Sequence, residues 1–245
     1  MSEPHPHLLF QMKHHLGALS LDVSFELTQP WTILFGPSGS GKSTILRAIA
    51  GFIHPNHARI ILPIAEHSRV IADTATGISI VPHKRPVRWA AQRPALFPHK
   101  TVRENLAYAS EIRNVGSEQA VDHAMERFHL TPIADRKPSF LSGGEQQRVS
   151  IARAAIAANG RLLLLDEPFN GLDAPLRDEL LADLRIWLAE TKTPVLSVTH
   201  DIAEAFQLNA EVLKLHNGRI TAQGPAAIVL AEERTRLLAQ LETSS

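Results

Sequence analysis

Apolar and polar residues change rhythm along this chain, and each change predicts an element. Leu19, Leu21, Val23, Phe25 and Leu27 alternate with polar neighbours, the period of a half-buried strand. Residues 31–35 form a short, mostly apolar run of strand type, and residues 42–50 carry Ile45, Leu46 and Ile49 at helical spacing before Gly51, a helix-ending glycine. Between Phe52 and Ala91 the pattern breaks into short strand-like stretches, 59–62, 69–72, 78–81 and 87–91, separated by Pro, Gly and Asn turns; they predict a small antiparallel β region. After Gln92 the period becomes helical, over 101–110, 117–130 and 144–158. Residues 161–165 and 195–199 are mostly apolar runs typical of buried parallel strands, with a helix predicted between them at 176–191. Asn217-Gly218 is a hairpin signal between 212–215 and 219–222, and Gly224-Pro225 opens a final helix reaching residue 242. The alternation predicts one α/β domain over 1–245, with residues 1–92 and 159–245 building the core and the antiparallel β region, and 93–158 an inserted helical subdomain.

Chemistry enters at Gly36-Pro37-Ser38-Gly39-Ser40-Gly41-Lys42-Ser43-Thr44, a G-x-x-x-x-G-K-S phosphate-binding loop. It lies between a predicted strand and a predicted helix. There its glycines let several backbone N–H groups face one anion and the helix N-terminus adds partial positive charge. Lys42 is expected to reach the β- and γ-phosphates, and the Ser43 hydroxyl to hold Mg²⁺. A second signal is the apolar strand ending in Asp166-Glu167. Acids there emerge at the C-terminal edge of the sheet, where ligands collect in open α/β folds. Asp166 is expected to hold Mg²⁺ through its shell and Glu167 to polarise the attacking water. The third is Ser142-Gly143-Gly144 opening a helix, with two readings: a second anion site gripping the γ-phosphate of a nucleotide held by another copy of the chain, or an ordinary N-cap with glycines for the turn.

Bulk composition narrows the partners. Lys+Arg and Asp+Glu are 25 each, and that balance argues against nucleic acid as the main partner. Cysteine is absent, which removes disulfides and thiolate metal sites. The polar, His/Pro-rich stretch 1–7 has no apolar core, so no signal peptide is expected, and no run approaches the ~20 apolar residues needed to span a bilayer. His5, His7, His14 and His15 fit no ligand spacing and are read as solvated.

Together these residues resemble the nucleotide-binding subunit of an ABC transporter over essentially the whole chain. Gly36 to Thr44 resembles the Walker A loop, Leu162 to Glu167 Walker B, and Leu141 to Gln147 the signature, with Glu145 at a position usually held by Gln. The resemblance assigns Gln92 to the glutamine that senses Mg²⁺ and the membrane subunit. It assigns Asp173, within Asn170 to Asp173, to the D-loop, and His200 to the switch histidine that contacts the γ-phosphate. Singly, these residues read as a surface amide, a helix cap and a strand-end histidine. The adenine-stacking aromatic of the family is replaced by Lys13-His14-His15-Leu16, and that role stays unassigned.

The implied fold is a P-loop NTPase core sheet with an antiparallel β subdomain and an inserted helical subdomain. The implied cofactors are ATP and Mg²⁺. The implied partners are a second copy (or a paired ATPase subunit) with ATP at the interface, an integral membrane permease and, indirectly, an extracytoplasmic solute-binding protein, with no nucleic acid. The implied location is the cytoplasmic face of the plasma membrane. Phe97 to Leu106 resembles the post-glutamine segment of bacterial importers. Gly77 to Arg85 is similar to the corresponding segment of molybdate-type import ATPases, which implies molybdate or a related oxyanion as cargo; those ATPases often carry a C-terminal oxyanion-binding domain, which is not expected here. The alternatives are an exporter subunit, or a soluble ATPase of the same type acting on DNA or ribosomes.

Overall fold

The computed structural model describes residues 6–64, 67–111 and 118–243, so His5 and the start of the predicted helix at 117 lie outside the described residues. In chain order the elements are β1 (Leu8–Leu16), β2 (Leu19–Leu27), β3 (Trp31–Phe35), α1 (Lys42–Ala50), β4 (His57–Ile64), β5 (His67–Asp73), β6 (Ile78–Ser79), β7 (Val87–Ala90), α2 (Val102–Glu111), α3 (Glu118–Arg127) and α4 (Gly143–Ala158). They continue with β8 (Leu162–Asp166), α5 (Ala174–Glu190), β9 (Val195–Thr199), α6 (Ile202–Gln207), β10 (Glu211–His216), β11 (Arg219–Pro225), α7 (Ala226–Val229) and α8 (Ala231–Thr243). They divide into two compact units, Met1–Pro86 with Val195–Ser245, and Val87–Pro194.

In the first unit, β2-β1-β4-β5-β6 form an antiparallel sheet. Strand β1 pairs with β2 along its whole length, Leu8 opposite Leu27 through Leu16 opposite Leu19. Leu8, Phe10 and Met12 share a buried face with Leu21, Val23, Phe25 and Leu27, and the directly paired Phe10 and Phe25 rings stack at 4.9 Å. Pattern reading finds β2 and misses β1, although Leu8, Phe10 and Met12 have the same two-residue period. The polar run Lys13-His14-His15 masks it, and those residues lie at the solvent end of the hairpin, where Lys13 pairs with Asp22 at 3.2 Å and His14 Nδ1 lies 3.1 Å from Asn56 Oδ1.

Strands β10, β3 and β9 run parallel, with β11 returning antiparallel along β10. Ile33, Leu34, Leu196, Val198, Val212 and Leu213 are buried, as expected for strands covered on both faces. Trp31 Nε1 donates to Ser197 Oγ at 2.9 Å and ties β3 to β9 through a buried polar contact. Helix α1 ends at Gly51, whose N–H bonds the Arg47 and Ala48 carbonyls. Arg85, buried, adds further donors: Nη1 lies 2.8 Å from both the Ala48 and Ile49 carbonyl oxygens, and Nε 2.6 Å from that of Ile80. The strand expected over 78–81 is cut to two residues because Pro82 starts a short 3-10 turn, Pro82–Lys84. The final helix is preceded by β11 and split into α7 and α8 around Leu230.

In the second unit, β7 pairs in parallel with β8, Val87 opposite Leu162 through Ala90 opposite Leu165. The expectation that 87–91 belongs to the antiparallel region is therefore corrected. Val87 and Ala90 are buried against the four leucines of β8, an environment a short, mostly apolar segment satisfies equally well in either sheet type. The loop before α2 is held by side chains. Asn105, fully buried, accepts from the Phe97 N–H at 2.9 Å and donates to the Phe97, Lys100 and Thr101 carbonyls. Arg153 of α4 donates to the Ala95 carbonyl at 2.6 Å and to Asn105 Oδ1 at 3.2 Å, and lies over the Phe97 ring. Past the end of α3, His129 Nε2 lies 3.2 Å from a Glu179 oxygen and 3.3 Å from an Asp183 oxygen of α5; burial pushes the Asp183 carboxyl up.

Candidate functional site

The phosphate-loop residues lie together in the first unit. Strand β3 delivers Gly36 at its C-terminal edge, and α1 starts at Lys42 with Gly41 as its left-handed N-cap. Gly36 is required by close approach, because a Cβ there would run into the Leu215 carbonyl oxygen of β10. Gly39 is required by conformation, at φ +77. Pro37, Ser38 and Gly39 are exposed at the crest, and Ser43 and Thr44 are half-buried in the first turn of α1. Lys42 is only 6% exposed, and its Nζ donates to the Gly36 carbonyl at 2.7 Å and the Pro37 carbonyl at 2.9 Å, folding the cation back over the loop. Ser40 Oγ is buried with no hydrogen-bond partner among the described residues, a cost that an anion accepting from it would relieve. A buried cation, an unpaired hydroxyl and a helix N-terminus make a donor set suited to phosphate, so the residues present fit a nucleotide triphosphate. His200 follows Thr199, and Thr199 is the register partner of Phe35. The exposed His200 therefore emerges from the sheet edge beside the strand that feeds the loop.

A second cluster lies in the second unit. Strands β7 and β8 end side by side, so Gln92, two residues past β7, meets the residues that follow β8. Asp166 is the last residue of β8 and 5% exposed. Glu167 turns left-handed at φ +48, which swings its side chain out of the strand's alternation and separates the two acids. Its Oε2 accepts from Gln92 Nε2 and from Asn170 Nδ2, each at 3.1 Å. Buried Gln147 of α4 donates to the Pro168 carbonyl at 2.6 Å and fixes the next peptide.

Ser142 caps α4 in a reciprocal box. Its Oγ accepts from the Glu145 N–H at 3.2 Å, and its own N–H donates to Glu145 Oε2 at 2.7 Å. The Ser142 backbone N–H first, then its hydroxyl, hold the Glu145 carboxyl below its ordinary range. Gly143 has open space where a side chain would be, whereas Gly144 packs against Leu172 and Leu176, which brings this helix end to the loop holding Asp173. Asp173 is the N-cap of α5, accepting from the Leu176 N–H at 2.9 Å.

The structure thus gathers Gly36 to Thr44 with His200 in one unit, and Gln92, Asp166, Glu167, Ser142, Gly143, Gly144 and Asp173 in the other. Sequence reading left out Asn170 as a partner of Glu167. Its signal was the spacing, an Asn three residues after the acid, where a turn brings the two together.

This loop, these strand ends and these capped helices define a P-loop NTPase fold with mixed parallel and antiparallel sheets. The ABC transporter family model matches residues 21–170, and the chain belongs to that family. Among its relatives is the molybdenum import ATP-binding protein ModC of Rhizobium etli, 37% identical over 225 residues that cover 91% of this chain and 62% of that protein. Another is the molybdate/tungstate import ATP-binding protein WtpC of Archaeoglobus fulgidus, 37% identical over 218 residues, 89% of this chain and 86% of that protein. The chain therefore spans less than two thirds of the length of the ModC relative and most of the WtpC one. The fold is similar to the ADP conformation of the ATP-binding cassette MJ1267, with a TM-score of 0.76, 24% identity and coverage of 94% of this chain and 96% of that one. No helix among the described residues is long and apolar enough to cross a membrane.

Proposed function

We propose that this chain is the ATP-hydrolysing subunit of an ABC importer, with molybdate or a related oxyanion as cargo. The observation that carries the ATPase reading is the Glu167 carboxylate beyond β8, held by side-chain amides in a chain with a phosphate loop built for a triphosphate. The importer reading and the cargo rest on the two relatives, named as molybdenum and molybdate/tungstate import ATP-binding proteins, each matching about nine tenths of this chain.

In this reading Gly36 to Thr44 bind the phosphates, with Lys42 exchanging its loop carbonyls for phosphate oxygens. Ser43, Gln92 and Asp166 carry the Mg²⁺ assignment; the ion would neutralise charge that develops on the phosphates during transfer. Glu167 polarises the attacking water and His200 contacts the γ-phosphate. Ser142, Gly143, Gly144 and Asp173 serve a nucleotide held by a second copy, and the chain works as a dimer with ATP at the interface. Residues 93–158 act as the helical subdomain, and the loop pinned by Asn105 and Arg153 receives a membrane permease. An extracytoplasmic solute-binding protein delivers the oxyanion, the chain sits at the cytoplasmic face of the membrane, and nucleic acid plays no part.

Two measurements test this. Glu167→Gln should retain ATP binding and lose about 10²-fold or more in turnover, the usual worth of a general base; unchanged turnover removes Glu167 from that role. Tagged Glu167→Gln chain, trapped with ATP in its native host, should co-purify with a multispanning membrane protein and a solute-binding protein that binds molybdate, tungstate or sulfate. Recovery with ribosomes or DNA and no membrane partner overturns transport while keeping the ATPase.

A further inference from the structure

Asn170 touches Glu167 twice. Its backbone N–H donates to the Glu167 carbonyl at 3.3 Å, closing a four-residue turn through Pro168 and Phe169, and its Nδ2 donates to Glu167 Oε2 at 3.1 Å. The turn opens on the left-handed Glu167, a conformation that persists only where its surroundings over-determine it. They do so here. Phe169 is buried, the Pro168 carbonyl is held by Gln147, and Asn170 clasps the first residue of the turn by backbone and side chain together.

The two donors on Oε2 differ in kind. Gln92 reaches in from the end of β7, 75 residues away in sequence, whereas Asn170 belongs to the loop that carries Glu167 and moves with it. Two donors on one carboxylate oxygen fix the plane of the carboxylate. When Gln92 turns away, Asn170 still holds that oxygen. Resting on the assignment of Glu167 as the water-polarising base, we propose that Asn170 is its positioning residue: it keeps the carboxylate oriented when Gln92 turns to other partners. The residue type fits the task. Asp at this place would present an acceptor to the carboxylate and repel it, and Ala would remove the donor that Asn170 supplies to that oxygen.

The test is steady-state ATP hydrolysis with Mg²⁺ by the purified full chain, comparing wild type, Asn170→Ala, Asn170→Asp, Glu167→Gln and the double variant Glu167→Gln/Asn170→Ala. Misplacing a catalytic group costs about 10-fold or more in rate, so kcat should fall by that factor in Asn170→Ala while KM stays within about 2-fold. Asn170→Asp keeps the size of the side chain and should lose at least as much, reading the missing donor even where Asn170→Ala disturbs the loop. With Glu167 already Gln, adding Asn170→Ala should change the residual turnover by less than about 2-fold, because residues acting through one another are non-additive. Full kcat in Asn170→Ala and Asn170→Asp overturns the proposal, as does the same fold loss in both backgrounds, the signature of a merely structural loop residue. A wild-type chain without ATPase activity, or a Glu167→Gln chain with wild-type turnover, instead overturns the functional reading beneath it.

Discussion

Gly36 and Gly39 lie three residues apart in one loop, and the structure gives each a different reason to be glycine. Alanine at 36 places its Cβ against the backbone carbonyl of Leu215, closer than the 3.0 Å that real Cβ atoms essentially never cross, and 3.2 Å from Ser40 Oγ. That carbonyl cannot step aside cheaply, because β10 is locked to β3 in parallel register through Lys214 and Phe35. Overpacking of this kind costs about 1–3 kcal/mol. In a domain of this size each kcal/mol moves Tm by about 2–4 °C, so Gly36→Ala should lower it by about 2–12 °C. Alanine at 39 meets nothing within 4 Å and pays only for φ +77, about 1 kcal/mol, partly offset by a less flexible unfolded chain. Asparagine separates the two causes. It tolerates the left-handed region, so Gly39→Asn should recover most of the loss, whereas Gly36→Asn, with more atoms at the clash, should be worse than Gly36→Ala. Thermal unfolding of the nucleotide-free chain, followed by circular dichroism, reads all four variants. A Gly36→Ala chain as stable as wild type, or asparagine rescue at 36 and not at 39, would refute the assignment of close approach to Gly36.

Lys42→Ala removes the buried cation and should weaken triphosphate binding by at least about 10-fold in an equilibrium titration, the scale of one charge-assisted contact; unaltered affinity would overturn the reading of the loop. Acid stability follows from two helix caps. Glu145 accepts from the Ser142 N–H and Glu104 from the Thr101 N–H, and both carboxyls are held below their ordinary 4.5. Their stabilisation is therefore complete above pH 4.5 and lost as pH falls through their lower folded values. Glu145→Gln and Glu104→Gln should each flatten the fall in denaturant midpoint measured downward from pH 5, and an undiminished acid slope in both would refute the capping assignment.

The nucleotide loop was legible in the sequence because its constraints are local: a strand, six residues of turn chemistry and a helix, all within Trp31 to Ala50. So was the Asp166-Glu167 strand end, since four consecutive leucines before two acids admit few other readings. What pattern did not give was contact between segments far apart in the chain. Nothing near Gly36 announces that Leu215 will press against it, and nothing near Val87 says that its partner is Leu162 rather than a neighbouring hairpin. Strand β1 was obscured because its exposed end is polar on both faces. Asn170 is hard to single out because a turn asparagine has an adequate local explanation, and only the structure shows its side-chain amide donating to the Glu167 carboxylate.

Arg85 also couples the stability of α1 to a distant part of the chain. Helix α1 has nine residues, too few to persist alone in water. Two of its final carbonyls wait for a guanidinium 36 and 37 positions further on, and that guanidinium cannot be buried until those carbonyls and that of Ile80 surround it. Each partner is better satisfied once the other is present, so the end of α1 and position 85 stabilise one another across the segment that holds β4, β5 and β6.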